Sequence, residues 1–156
     1  MKKRILSLAL SAAMALTMLP TGAFAASDKG KPPVYNKATG CYEISTPDQL
    51  LYLSGSWRDG APRDGHYVLT ADIDMTGVKG FKPIASKKDQ GFTGTFDGQF
   101  HAIKGLRVEY EKKYAGLFGY VGNQDDQAYI KDVALLDCYV TGQQNVGALA
   151  GVNYGT

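Results

Sequence analysis

Two short elements recur in the same order through the second half of this 156-residue chain, and their recurrence restricts the possible folds more than any other feature. Phe92-Thr93-Gly94-Thr95-Phe96-Asp97 reads against Tyr114-Ala115-Gly116-Leu117-Phe118-Gly119 at an offset of 22 residues, and Val146-Gly147-Ala148-Leu149-Ala150-Gly151 lies a further 32 on. Between them, Ile103-Lys104-Gly105-Leu106-Arg107-Val108 matches Ile130-Lys131-Asp132-Val133-Ala134-Leu135 at an offset of 27, apolar at positions 1, 4 and 6 in both. Residues two apart share one face of a strand. A gap of three therefore predicts a corner between the first apolar residue and the next pair, and Gly105 or Asp132 suits such a corner. Strand, corner and strand, wound again with loops of variable length, make one coil of an all-β solenoid whose coils stack through parallel ladders. A β-sandwich would instead show hairpins joined by tight turns, of which Asp97-Gly98 is a candidate.

Other segments agree with an all-β chain. The stretch 67–74 reads as one strand between Gly65 and Gly77, and short apolar runs follow at 81–85, 92–96, 100–108, 114–121, 129–140 and 146–152. One helix is predicted after the short strand that begins at Cys41. Thr46 is placed to cap it, Pro47 suits its first position, Asp48 complements its dipole and Gln49 can complete a capping box. Gly55 stops it after about two turns. Residues 26–40, polar and rich in Pro and Gly, read as a disordered leader. The folded domain is thus expected over 41–156, with an N-terminal cap at 41–60 and coils at 65–156.

The N-terminus reads as an export signal over 1–25. Lys2, Lys3 and Arg4 precede an apolar stretch, Pro20 and Gly22 break it, and Ala23-Phe24-Ala25 is a cleavage pattern with Ala26 following. The stretch is short for a membrane span. Without the signal, 14 basic residues face 15 acidic ones, a formal charge of −1. No basic stripe remains for nucleic acid, and no basic amphipathic helix or membrane span is expected in the mature chain. Two cysteines, Cys41 and Cys138, are too few for a disulfide scaffold. They can pair in an exported protein, or Cys138 can fill a buried strand face.

The segments Tyr114-Ala115-Gly116-Leu117-Phe118-Gly119, 130–135, Cys138-Tyr139-Val140-Thr141-Gly142 and 146–153 resemble the GLUG repeat (Gly-Leu-any-Gly) of bacterial surface proteins. That repeat occurs in haemagglutinin-like adhesins and in the N-terminal regions of immunoglobulin A-cleaving metallopeptidases. The motif positions here are Gly94, Phe96, Gly116, Leu117, Phe118, Gly119, Gly147, Leu149 and Gly151. The second copy departs from the pattern, with Ala148 in place of its first Gly. The upstream segment, from Ile44-Ser45-Thr46-Pro47 to Phe100-His101-Ala102-Ile103, is similar to the region that precedes such repeats. The resemblance implies a right-handed parallel β-helix closed at its N-terminal end by the short helix. It carries no peptidase activity over, since His-Glu-x-x-His is absent.

Candidate chemistry is sparse, and no catalytic or cofactor-binding residue is assigned. Asp72 and Asp74 alternate on a strand and could hold a hard cation through oxygen, but lack the further ligands of a calcium loop. Asp97 beside Gly98 reads as a turn residue, and Asp125-Asp126 as a loop tip. His66 and His101 have no nucleophile or acid at a useful spacing, and alternation points His101 away from Phe100. The expected function is a secreted, extracellular or wall-associated module, structural, adhesive or ligand-binding, that presents a rigid face to a host, matrix or polysaccharide ligand. The alternative is the opening of a β-helical carbohydrate-active enzyme or surface peptidase with its active site beyond residue 156. The sequence stops part-way through a repeat, so either further coils follow or the C-terminal edge pairs with another molecule, including a second copy.

Overall fold

A computed structural model describes residues 30–55, 61–123, 126 and 128–155. The expected signal with its Ala25/Ala26 cleavage point, the first residues of the leader, residues 56–60 of the cap and Asp125 lie outside them. Within them the protein is mostly β, with one short α-helix. The elements run β1 (Val34–Asn36), β2 (Cys41–Ile44), α1 (Pro47–Leu53), β3 (His66–Leu69), β4 (Ile73–Asp74), β5 (Thr95–Asp97), β6 (Ala102–Lys104), β7 (Arg107–Ala115), β8 (Phe118–Val121), β9 (Tyr129–Lys131), β10 (Ala134–Leu136), β11 (Tyr139–Val146) and β12 (Ala150–Asn153).

Four sheets share these strands in the orders β1-β2-β3-β5-β9, β4-β6-β10, β7-β11 and β8-β12. Every pair is parallel except β1 with β2. The run β5, β6, β7, β8 is therefore matched strand for strand by β9, β10, β11, β12. Like side chains stack in register: Tyr42, Tyr67, Phe96 and Ile130 form one row, and Ile73, Ile103 and Leu135 another. Parallel single-residue bridges extend a third row, Gly55, Ile84 and Phe118, to Ala150. These rows form the core, where Tyr67, Ile73, Phe96, Ile103, Val108 and Phe118 are buried. Aromatic rings fill its width, with Phe92 and Phe96 at 5.1 and 5.4 Å from Phe118. Tyr67 keeps its hydroxyl satisfied by donating to Pro62 O at 2.7 Å, and burial pushes its pKa up.

The predicted corners are present. Gly105 (φ +67°) and Asp132 (φ +52°) both take the left-handed conformation that turns the chain, and Ile103, Leu106 and Val108 around Gly105 all point inward. The register of the repeat needs correction. Ile130 does not stack on Ile103 but on Phe96, and Leu135 stacks on Ile103. The match at 27 residues thus compares two different corners of the winding, which look alike because each needs a left-handed residue between inward side chains. Phe96 and Phe118 are likewise not stacked equivalents. The copies at 114–119 and 146–151 are, since Phe118 pairs with Ala150, 32 residues on.

Three further expectations change. The stretch 67–74 is two strands, because Leu69 and Ile73 are both buried and the chain turns between them, where Thr70 N–H donates to Ile44 O at 2.9 Å. The leader is ordered in part: β1 pairs with β2, Gly40 N–H closes the turn on Asn36 O, and the Tyr35 and Tyr42 rings lie 4.9 Å apart. The Pro- and Gly-rich composition belongs to the residues before Val34 and concealed the hairpin. Cys41 and Cys138 are both free, one in the first layer and one in the last. Helix α1 carries its capping box, with Gln49 N–H donating to Thr46 Oγ1 and Thr46 N–H to Gln49 Oε1. Its Leu50, Leu51 and Leu53 are buried in the core.

Polar bonds also cross between layers. Lys131 donates to Asp97 Oδ2 at 2.7 Å, and Asp97 Oδ1 accepts Gln99 N–H, so the carboxyl sits below the usual carboxylate range, chiefly through the lysine. That contribution is present above the ordinary aspartate pKa and is lost as pH falls through the lowered one. Asp97→Asn is expected to reduce stability in urea titrations at neutral pH, with the difference from wild type closing below about pH 3. Ile103→Ala, in the middle of a row, is expected to cost about 2–5 kcal/mol, and Leu135→Ala in the outer layer roughly half of that or less.

Candidate ligand-binding face

The two longest strands build the most distinctive surface. β7 and β11 pair in register from Arg107 with Tyr139 to Tyr110 with Gly142, then resume at Lys113 with Gln144. Three residues on β7 therefore span what two span on β11, a bulge that bends the ribbon. Val108 points into the core. Beyond it the strands run on with exposed side chains from Glu111 to Lys113 and from Thr141 to Val146. A shallow groove of about 870 Å³ lies on the bulge, lined by Glu109, Glu111, Lys112, Thr141 and Gln143 among others. A smaller cavity of about 370 Å³ adjoins it at Glu109, between Arg107 and the segment Val78, Lys79, Gly80 and Phe81.

Arg107 organises this face. Its Nη2–H donates to Glu109 Oε1 at 2.7 Å, and its guanidinium lies 4.5 Å from the centroid of the Tyr139 ring in the next layer. The arginine hydrogen bond holds the Glu109 carboxyl below the usual carboxylate range. An exposed ring backed by a cation, beside donors and acceptors of both signs, can stack an apolar ring face and hydrogen-bond its polar rim.

The structure separates the other candidates. Asp72 Oδ1 accepts Ala102 N–H at 3.0 Å and lies 3.0 Å from His101 Nδ1, which joins one layer to the next. Its carboxyl lies below the usual range, first through the Ala102 bond. Asp74 instead accepts Thr76 N–H in its own turn. Among the described residues no three His, Cys, Asp or Glu side chains gather as a cation site. Asp126 accepts Asn123 Nδ2–H within the loop. His101 does not follow strand alternation, because Gln99 and Phe100 before it are both left-handed, and Phe100 stands 85% exposed.

The repeat-motif residues are placed for packing. Phe96, Leu117 and Phe118 are buried, whereas Leu149 in the last layer is partly open. At Gly94 a Cβ would strike Gly65 O, and at Gly116 it would meet Gly147 O at 2.7 Å, so these glycines let neighbouring backbones approach. Gly119, Gly147 and Gly151 lie equally close to backbone. Sequence reasoning missed the β7–β11 ribbon by ending an apolar run at Val108 and starting the next at Tyr114. The alternation of Val108 with Tyr110, and its echo after Val140, was the available signal.

The chain is 34% identical over 133 residues to halomucin of Haloquadratum walsbyi, a match covering 76% of this chain and 1% of that protein. It is 32% identical over 99 residues to a protein of Evansella cellulosilytica described as a Gly-rich membrane protein, covering 58% of this chain and 11% of that one. The chain thus spans a small part of the relatives it matches. No protein-family profile matches it. No solved structure matches it either.

Proposed function

We propose that this chain is a GLUG-like module of a secreted or wall-associated surface protein, a right-handed parallel β-helix that binds a host, matrix or polysaccharide ligand on the β7–β11 face without catalysing its conversion. Four short strands per turn, each parallel to its counterpart in the next turn, support the winding, and α1 supplies its N-terminal closure. The relatives support a place in long extracellular chains, one of them through a name that classes it with mucins. No helix among the described residues is long and apolar enough to cross a membrane. The observation that carries the binding role is the Arg107–Tyr139 plate beside an open polar groove. Exposed aromatic rings flanked by hydrogen-bonding groups suit extended polymers, which are gripped along a surface instead of being engulfed in a pocket.

The test is binding of the purified chain to an array of immobilised polysaccharides and matrix proteins. The expected result is saturable binding to one class, weakened about tenfold, or 1.4 kcal/mol, by Tyr139→Ala with the circular dichroism spectrum unchanged. No binding to any member, or binding indifferent to Tyr139→Ala and Arg107→Ala together, would contradict the assignment of this face.

A further inference from the structure

We infer that the chain pairs with a second copy of itself through the face built by β9, β10, β11 and β12. Each of these strands is the last of its sheet, so one edge of its backbone has no strand beside it. The inward side chains of the same layer are open. Leu117 is fully buried, whereas Leu149, which precedes Ala150 and sits over Leu117, is 37% exposed. Ala115 is fully buried, and Val146 over it is 47% exposed. Ile130, Val133, Leu135 and Val140 pack on the core yet stay half-buried.

The opposite end does not offer such a surface. There Ile44, Leu50, Leu51 and Leu53 are buried, and β1 runs antiparallel along β2, leaving a terminal edge of three residues. One broad open face per molecule excludes head-to-tail growth, which needs two complementary faces, and favours closure about a twofold axis. A twofold axis across the open face reverses the sense of the strands, so the copies meet as antiparallel edges, which are good hydrogen-bonding partners.

Charge favours a like partner. The 3, 3, 8 and 4 residues of β9, β10, β11 and β12 include one charged side chain, Lys131, and it is already engaged by Asp97. β7 alone carries five in nine residues. Free edges are normally guarded by lysine, proline or inward charges that repel a second strand. This edge has no such guard along β10, β11 and β12, so bringing two copies together opposes no like charges there. The surface continues the stacking interface already formed between β5–β8 and β9–β12, apolar row on apolar row.

The experiment is light scattering with size-exclusion chromatography on the purified full chain, beside the double variant Val146→Lys/Leu149→Lys and the control Phe100→Ser. Both lysines replace side chains already open to solvent, so the monomer fold should survive, as circular dichroism checks. The expected result is a concentration-dependent dimer for wild type and Phe100→Ser, and a monomer for the double variant. Amide exchange on wild type gives an independent reading: β9–β12 amides should slow as concentration rises. A wild-type monomer, unlimited oligomers, a dimer that survives both lysines, dissociation by Phe100→Ser, or exchange in β9–β12 independent of concentration would each overturn the proposal.

Discussion

A parallel ladder cannot be closed by a tight turn; the chain must leave one strand, travel around and return before the partner strand can lie beside it in the same direction. Here the return from Tyr67 to Phe96 takes 29 residues and that from Phe96 to Ile130 takes 34. Four sheets grow at once because each circuit contributes to all of them in turn. The direction of every later strand follows from this requirement, and so does the meeting of like residues, since register within one sheet sets register in the next through corners of fixed length. The inward rows are the energetic consequence. A side chain such as Ile103 is covered below by Ile73 and above by Leu135, and burial of that kind supplies most of the favourable free energy in a domain of this size.

The same constraint divides the molecule's residues by role. Inward positions and close-approach glycines serve the stacking, which is where the Gly-Leu-any-Gly positions fall. Outward positions are free to vary, and the bulged β7–β11 ribbon uses that freedom to place Glu109, Arg107 and Tyr139 on one surface. Between layers, the Asp72–His101 and Lys131–Asp97 contacts align neighbouring turns more than they stabilise them, being largely exposed. The proposed binding role therefore depends on the rigid winding, while the residues that would carry it contribute little to holding the winding together.

Much of this architecture was legible in the sequence, and the unread parts have definite causes. The helix was readable because Thr46, Pro47 and Gln49 each solve a local problem at a helix start. The corners were readable from the three-then-two spacing around Gly105 and Asp132. The order of stacking was not, because every corner imposes similar spacing, and similarity between two corners of one turn outscored similarity between equivalent corners of successive turns. The β1–β2 hairpin escaped notice because three residues carry too little alternation to stand out beside Pro and Gly. The ribbon of the candidate site was hidden for a related reason: charged side chains on both faces of a projecting strand erase the alternation by which strands are recognised.

The central claim is that successive circuits lie parallel and in register. Cross-strand nuclear Overhauser contacts on the isotope-labelled chain test it most directly. The account predicts contacts in one sense only, joining Tyr67 to Phe96, Phe96 to Ile130, Ile103 to Leu135, Val108 to Val140 and Phe118 to Ala150, with flanking contacts advancing together along both strands. Close Hα–Hα pairs whose partners run in opposite order, as between the strands of a hairpin, at β5 with β6 or β9 with β10 would contradict it.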